Sequence, residues 1–581
     1  MATNKSTRDA IVTVAVVIAV AVTIMANLLA DRKFARLDLT SEHRYSISKE
    51  FGSILNRLES TVDLTYYVSK QVPLEFEAGK RDILDKLNEI VQASHGKIKL
   101  LVNDPKDNPE LREELRKVEG EIEIAINKKD ERSRSLLTSS LKINYEAKPK
   151  VLTPFIGSAE QLEYLLGSKF SELTLKKKPI VAIDTPMPPQ MPPMMQQQQQ
   201  GSGYEWLQAG QFEDLKKFEL KSVDLSENNS IPADASAFII VRPKALNERQ
   251  RFEVVKYLAG GGKVIMLASP FKVSNEFGSW RNEKTPTGLE DYLKDLGVTF
   301  SPDLVCDKSS MQMPSIGNNR IEMRSYPFFV RVLGENIDQE SSLTRFMPGL
   351  LMPIPAEIKI DDAVAKKSGL VARVLAKTSK QSWRVPYSDS INPEKSFSED
   401  DPNQRFDGSM AVVATIEGQF PFPYEGKPVP EWKKEEAPGT PPDAADKDKK
   451  KGENATLAKK PGTLMICSCP EAFHMMYLND QTIGPQMKSN IFLMINILET
   501  FGLGNDDLVK LRTKRYETRT LEKLSGKEDE WKRDYSKYWL IFGVPILIVI
   551  FALTRSIFRN SAQTRYERKF AQTIGPSSFT P

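Results

Sequence analysis

Two long apolar segments, one near each end of the chain, dominate its hydrophobic pattern. Residues 10–30 and 538–554 contain no charged side chain. As helices they would be about 31 Å and about 25 Å long, against a hydrocarbon core of roughly 30 Å. Lys537, Tyr538 and Trp539 are residue types typical of the membrane–water interface. The pattern therefore predicts two transmembrane helices, with the long intervening region on one side of the membrane.

The first apolar segment is predicted to be an uncleaved anchor and not a signal peptide. It is long for the core of a signal peptide, and no small-residue cleavage site precedes Asp31. Basic residues flank both segments in nearly equal number. The positive-inside rule therefore does not decide which side of the membrane the intervening region occupies.

Strand and helix patterns alternate after the first apolar segment. Ser48 is a typical N-cap before a short amphipathic helix. Strand patterns at 62–68 and 97–102 enclose a helical pattern at 76–93, and 121–154 is β-rich. This order predicts a small N-terminal α/β domain.

A second alternation predicts a parallel, doubly wound sheet. Its strands are predicted at 179–183, 237–241 and 263–268, with a helix at 247–259 between the last two. The strand pattern returns at 463–467 after a long, proline-bearing excursion.

The predicted fold class is α/β, in a multi-domain region flanked by two transmembrane helices. The predicted organisation is a short tail (1–9), a transmembrane helix (10–30), an N-terminal α/β domain (31–175), the first part of a doubly wound domain (176–308), a β-rich insertion (309–432), a disordered loop (433–461), the last part of the doubly wound domain (462–505), a charged stalk (506–537), a transmembrane helix (538–554) and a second tail (555–581).

Composition excludes some function classes. The 81 basic and 77 acidic side chains leave a net charge of +4, which argues against a nucleic-acid binder. With three cysteines in 581 residues, a structural disulfide framework is excluded. No Walker pattern for nucleotide binding occurs, so ATP hydrolysis would have to come from another chain.

The glycine and histidine positions favour structural roles. The three glycines at 260–262 lie between a helix and a strand, whereas a phosphate loop needs the opposite order. A helix C-cap is the favoured interpretation. His43, His95 and His474 lie far apart and lack a metal-ligand partner at helical spacing. We expect them to be surface or locally bonded histidines.

Other candidate groups are likewise weighed against ordinary packing. Cys467 and Cys469 might supply a nucleophile or a soft-metal pair, but strand cysteines are usually small buried hydrophobes. Asp303, Asp307 and Glu471 might cluster at strand ends, where doubly wound folds place their sites. Solvated loops are the favoured alternative. The methionine-rich tract at 187–195 suggests disorder more than copper binding, because proline and glutamine surround it.

Several short motifs together resemble one family, the GldG-like auxiliary component of gliding-motility-type ABC transport systems. The motifs occur in the family's order along essentially the whole chain, although each alone is weak. They are LDLT at 37–40, RYSIS at 44–48, NDP at 103–105, YLAGGGKV at 257–264, LAKTS at 375–379 with Trp383, EGQF at 417–420, the stretch 490–498, and LRTK at 511–514.

The resemblance implies a membrane-anchored, extracytoplasmic partner of an ABC permease and its ATPase, with the tails at 1–9 and 555–581 in the cytoplasm. It implies a bacterial cytoplasmic membrane location, an oligomeric complex, and a central domain similar to class I glutamine amidotransferases. Those enzymes use a nucleophilic cysteine at a strand-to-helix elbow, whereas here the corresponding strand leads into Ser269. Where relatives carry an acidic Gly-Asp-x-Asp-Phe-like stretch, this chain has CSCPEAF at 467–473.

We therefore predict a non-catalytic scaffold or coupling subunit, with no catalytic, cofactor-binding or metal-binding residues and no cofactor. One alternative is a carbohydrate- or peptide-binding module whose aromatic platform would be Trp383, Phe420, Phe422 and Tyr424. A second is a degenerate hydrolase using Cys467, which the scarcity of histidine disfavours.

Overall fold

The computed structural model describes residues 47–513 apart from short gaps, and a C-terminal helix. The described residues are 47–513 without 129–130, 187–201, 210–211, 277–278, 318–319, 392–404, 433–453, 482 and 505, and then 543–573 with residues 18, 535, 538 and 539. Several predicted features lie outside them: the first span except residue 18, the methionine-rich tract, most of the disordered loop, His43 and most of the stalk. The chain divides into two compact units, Met1–Lys514 and Arg515–Pro581.

The N-terminal part of the first unit is a five-stranded sheet with helices. Its elements are α1 (Lys49–Asn56), β1 (Val62–Val68), α2 (Leu74–Ala93), β2 (Ile98–Asn103), α3 (Pro109–Lys117), β3 (Glu121–Lys128), β4 (Glu131–Tyr145), β5 (Val151–Leu152) and α4 (Leu162–Thr174). The strand order is β2-β1-β4-β3, with β5 beside β4. β1 is parallel to β2 and antiparallel to β4.

The start of α1 shows how the sequence fixes this part. The Ser48 side chain accepts a hydrogen bond from the Phe51 amide at 3.3 Å, which satisfies one of the free amides of the first turn. Phe51, Ile54 and Leu55 then share the helix face that is buried in the N-terminal core. The predicted N-cap is confirmed.

The remainder of the first unit is built around a ten-stranded mixed sheet. Its elements are β6 (Ile180–Asp184), α5 (Trp206–Ala209), β7 (Glu219–Ser222), β8 (Ala235–Val241), α6 (Glu248–Ala259), β9 (Lys263–Leu267), β10 (Phe271–Glu276), β11 (Ser279–Lys284), α7 (Glu290–Asp295), β12 (Val298–Asp307), β13 (Ser310–Gly317), β14 (Arg320–Leu333), β15 (Gly349–Pro353), β16 (Ala356–Ile360), α8 (Asp362–Lys367), β17 (Leu370–Lys377), β18 (Ser382–Val385), β19 (Ser390–Ile391), β20 (Ala411–Gln419), β21 (Pro461–Cys467), α9 (Met475–Leu478), α10 (Lys488–Leu503) and α11 (Asp507–Thr513).

One half of the large sheet is parallel and the other half is antiparallel. The strand order is β18-β12-β16-β20-β21-β9-β8-β6-β7, and β17 pairs with β20. Strands β7, β6, β8, β9 and β21 are mutually parallel, and β20 is antiparallel to β21. The predicted α/β fold class is confirmed, but the predicted parallel sheet forms only one half of the large sheet.

Both faces of the parallel strands are buried, which explains their nearly continuous apolar sequences. Ile183 and Ile239 face a core shared with Leu493 of α10. Phe238 and Ile240 point to the opposite face, into a core shared with helices α6 and α7. Helices therefore cover both faces of this half of the sheet.

The segment predicted as a β-rich insertion is rich in strands, but it is not a separate layer. Strands β16, β17, β18 and β20 join the large sheet, while β13-β14-β15 and β10-β11-β19 form two small sheets. Antiparallel neighbours need no helical crossover. The large sheet therefore includes strands from a segment without alternating helices. The sequence pattern used to predict the sheet was that alternation, so it did not reveal these strands.

The segment predicted as a charged stalk begins with a packed helix. α11 buries Leu508 and Val509 completely, and Leu508 belongs to the N-terminal core. The prediction of a stalk from residue 506 is therefore wrong for residues 507–513. The apolar residues of this charged segment are buried when it forms a helix.

The C-terminal unit contains α12 (Val544–Thr573), which continues past Thr554, the predicted end of the second span. Among the helices of the described residues, none combines the length and the apolar character that crossing a bilayer requires.

Candidate functional site

A candidate site lies at the carboxyl ends of the parallel strands. In chain order the parallel block runs 2-1-3-4-5, so the direction of winding reverses between β6 and β8. Open α/β sheets bind ligands in the crevice outside this reversal point, at the carboxyl ends of the strands. Here β6 ends with Asp184, and Arg242 directly follows β8.

Charged and aromatic side chains meet at this edge. Arg242 forms an ion pair with Glu471, which lies just beyond β21. The Nε of Arg242 also donates to the hydroxyl of the buried Tyr204 at 3.4 Å. The ring of His474 stands edge-on to Tyr204, with 5.0 Å between centroids. Asp184 lies at the same edge, at the end of the neighbouring β6, opposite Ile240 of β8. We call the four linked side chains, together with Asp184, the strand-end cluster.

The backbone around the cluster adopts conformations that L residues rarely use. Arg242 has φ +49°. Gly203 has φ +85°, and a Cβ there would lie 2.1 Å from Nε2 of His474. Only glycine lets the backbone approach this imidazole so closely. Such strained positions persist where the surrounding structure holds them, and they concentrate at binding sites.

The electrostatics of the edge are unusual at Asp184. Burial, with the nearby negative charge of Asp224, raises the pKa of the Asp184 carboxyl to about 7. The pKa of His474 is lowered by burial and by the Arg242 charge. Nδ1 of His474 accepts a hydrogen bond from the Met476 amide at 3.2 Å, so the imidazole also caps α9.

The three cysteines are buried thiols. Burial raises the pKa of Cys467 to about 12 and raises those of Cys306 and Cys469 well above the ordinary value. The Sγ of Cys469 donates to the Pro353 carbonyl at 2.9 Å. A thiolate is therefore disfavoured at each position.

The acidic residues singled out in the sequence do not act together. Glu471 lies in the strand-end cluster, whereas Asp307 is fully buried and binds Ser309 and Ser379. Asp303 lies within β12, near the charge of Arg384. Within the described ranges, no three histidine, cysteine or acidic side chains are grouped as metal ligands.

The glycine and aromatic candidates have structural roles. Gly260 caps α6, and residues 261–262 lead into β9. Trp383, Phe420 and Phe422 are buried, and Tyr424 packs edge-on against Phe252 at 5.2 Å. These aromatic side chains form no exposed platform for a carbohydrate.

Sequence reasoning missed Asp184 and Arg242. Each is the first charged residue after a predicted strand, and that position was the available signal. These two positions matter because β6 and β8 are neighbours at the reversal point of the sheet. Nothing in the sequence shows that these two strands are neighbours.

A second polar cluster joins the N-terminal part to α10 and α11. Glu499 is fully buried and forms ion pairs with Lys217 and, at 2.8 Å, with Arg512. The hydroxyl of Tyr164 donates to Asp214 at 2.6 Å, and the guanidinium carbon of Arg512 lies 4.5 Å from the Tyr164 ring centroid. Burial and the Glu499 charge raise the pKa of Tyr164. We call these five residues the junction cluster.

Two family models match the chain. Residues 188–468 match an ABC-type uncharacterized transport system. Residues 41–143 match a domain of unknown function, DUF7088. The first match covers just under half of the chain and includes most of the large sheet. It supports an auxiliary component of an ABC transport system.

Other comparisons add little. No curated protein matches the sequence. A thuA-like protein from Bacteroides uniformis is similar at 13% identity and TM-score 0.28, covering 57% of this chain and 98% of that one. An exo-β-1,4-mannosidase from an Opitutaceae bacterium is similar at 8% identity and TM-score 0.22, covering 72% and 49%. At these TM-scores, neither structure indicates the fold or the function of this chain.

Proposed function

We propose that the protein is a non-catalytic, GldG-like auxiliary subunit of an ABC transport complex. The region between the two spans, residues 31–537, would stand outside the bacterial cytoplasmic membrane, anchored by spans at 10–30 and 538–554, and would act as a scaffold or coupling element. The match of residues 188–468 to the ABC-type family model carries this proposal. The chain's own lack of a Walker pattern assigns nucleotide hydrolysis to a partner.

The chemistry of the strand ends supports a binding role over catalysis. The thiol of Cys467, at the end of β21, is held protonated by burial. Ser269 follows β9, where a nucleophile would be expected, but its buried hydroxyl has no hydrogen-bond partner among the described residues. A serine nucleophile needs an adjacent base to be activated.

The coupling role is supported by the position of α1 and α11. α1 is the first described helix after the predicted anchor at 10–30 and its following segment. α11 is the last helix before the segment that leads to the predicted anchor at 538–554. Arg57 at the end of α1 pairs with Asp507 of α11 at 2.8 Å, and Leu508 and Leu511 of α11 are buried in the N-terminal core. A displacement of either anchor would therefore be transmitted to the contacts between α1 and α11.

Affinity purification of the full chain from native membranes tests the proposal. We expect a permease and an ATPase chain to co-purify. Leu508→Ala should destabilise the α11 contact by about 2–5 kcal/mol, because it removes a fully buried side chain, and should reduce recovery of both partners.

Leu74→Ala is the matched control, since Leu74 is 89% exposed, and it should leave recovery unchanged. Purification of the wild-type chain without any permease or ATPase would contradict the proposed function. Full recovery with Leu508→Ala would contradict the coupling role of α11.

A further inference from the structure

The outer edge of β2 is an open strand edge with an apolar sequence. β2 lies at the end of the strand order β2-β1-β4-β3, and within the described residues only β1 pairs with it. Its sequence is IKLLVN, and its Leu101 and Val102 are 57% and 45% exposed. Open edges pair with other strands, so folded proteins usually protect them with charged side chains. An edge with three consecutive apolar residues therefore calls for an explanation.

The strands at the other ends of the two larger sheets are protected by charge. In the N-terminal sheet, β3 begins with the acidic sequence EIE. In the large sheet, β7 carries the exposed ion pair of Glu219 and Lys221 at 3.3 Å, and β18 carries Arg384. The only charged residue of β2 is Lys99. The lack of charge protection is therefore particular to this edge.

Two residues in the middle of β2 direct their backbone groups away from the sheet. The Val62 amide of β1 donates to the Lys97 carbonyl at 2.8 Å. Successive residues of a strand point their amides and carbonyls to opposite sides, so the odd-numbered residues of β2 face β1. Leu100 and Val102 therefore present their amides and carbonyls outward, where a further strand can bind them.

The ends of β2 offer less to a further strand. The Ile98 amide already donates to Oγ of Ser94 at 3.0 Å. Beyond the strand, Asp104 caps a short turn that begins with Pro105, which has no amide hydrogen to donate. The open part of the edge is therefore short, and its centre is Leu101.

A second copy of the same strand matches this edge. In an antiparallel pair centred on Leu101, Leu100 of each copy lies opposite Val102 of the other, and these residues exchange their outward amide–carbonyl hydrogen bonds. The two Leu101 side chains meet across the twofold axis. Lys99 lies opposite Asn103, so like charges stay apart. A pair centred on Lys99 would instead place two ammonium groups opposite each other.

We propose that the open edge of β2 joins a second copy of this chain, in an antiparallel strand pair centred on Leu101. The contact is self-complementary, as a twofold homodimer requires. The proposal concerns contact between two copies and does not depend on the transport role or on either polar cluster.

Disulfide trapping of the purified full-length protein tests both the contact and its register. In the proposed pair the two Leu101 Cα atoms lie about 4.5 Å apart, within the disulfide range of about 4.4–6.8 Å. Leu101→Cys should therefore form a disulfide-linked dimer on mild oxidation. Lys99→Cys and Asn103→Cys should each stay monomeric alone and cross-link with each other when mixed. The three native cysteines are buried and should give no background.

Val371→Cys is the matched control, because Val371 is an apolar residue of β17 that is 71% exposed, and it should stay monomeric. In sedimentation velocity the wild-type chain should have twice the monomer mass. Leu101→Lys should halve that mass, because two ammonium groups would then meet at the axis.

The proposal is overturned if the wild-type chain is monomeric or if Leu101→Lys remains dimeric. It is equally overturned if Leu101→Cys forms no disulfide, or if Lys99→Cys alone or Val371→Cys cross-links as well as Leu101→Cys does.

Discussion

The junction cluster and the strand-end cluster contain similar residues but arrange their charges differently. In the junction cluster, the fully buried Glu499 faces both Lys217 and Arg512. In the strand-end cluster, Arg242 and Glu471 pair with each other, while Asp184 faces the like charge of Asp224. One cluster balances its charges internally, and the other leaves a carboxyl group without an opposite charge.

This difference separates a structural role from a binding role. Removing one member of a buried, paired set leaves an uncompensated charge, so such a set holds elements together. A buried carboxyl group with a raised pKa is typical of a functional position. The following variants test whether the two clusters differ in this way.

The largest effect is expected in the junction cluster. Glu499→Ala would leave Lys217, whose side chain is 2% exposed, without its buried counter-charge. We expect a loss of about 3–5 kcal/mol in the free energy of unfolding, measured by urea denaturation.

Asp234→Asn is the control for that experiment. Asp234 and Lys177 form a pair at 2.8 Å with side chains 60% and 69% exposed, so its loss should leave the urea midpoint unchanged. Equal effects of the two variants would show that Glu499 does not hold the junction.

A smaller effect is expected at the strand ends. Arg242→Met should cost about 1.5–3 kcal/mol in urea unfolding, because it removes charged hydrogen bonds from a pair whose side chains are 14% and 9% exposed. A loss as large as that of Glu499→Ala would make the strand-end cluster a second structural junction, contrary to the comparison.

The last variant tests a pH dependence at Asp184. The unfolded carboxyl group titrates near pH 4, whereas its pKa in the folded protein is raised to about 7. The folded state therefore binds the proton of Asp184 more tightly than the unfolded state does. The resulting contribution to the free energy of unfolding is fully present below about pH 4 and is lost as the pH rises to about 7. Asp184→Asn should match the wild-type melting temperature at pH 4 and exceed it at pH 8.

Thermal melts across this pH range, with Asp234→Asn as control, check the sign. The pKa of Asp234 is lowered by Lys177, so its substitution should not remove a loss of stability between pH 4 and 7. A wild-type protein that melts higher than Asp184→Asn at pH 8 would contradict the raised pKa.

Local patterns predicted local structure well. The Ser48 cap, the helix after β1 and the apolar strands at β6, β8 and β9 depend on neighbouring residues, and they occur where the sequence places them. The position of the glycines at 260–262 likewise follows from the helix before them and the strand after them.

Contacts between distant residues were not predictable. Glu471 was a candidate, but its partner Arg242 became one only when β8 and β21 were placed in the same sheet. The charged segment at 507–513 was predicted to be part of a stalk. It is instead packed against the N-terminal core, whose residues lie more than 300 positions earlier, and the local sequence does not reveal that contact.

The position of β21 has a consequence for synthesis. It lies between β9 and β20, yet it is the last strand of the sheet to be made. Until the chain has emerged as far as residue 467, β9 and β20 each present an open edge of the kind that pairs with other chains. Every nascent copy therefore passes through an aggregation-prone interval, and chaperone protection would matter most just before this strand emerges.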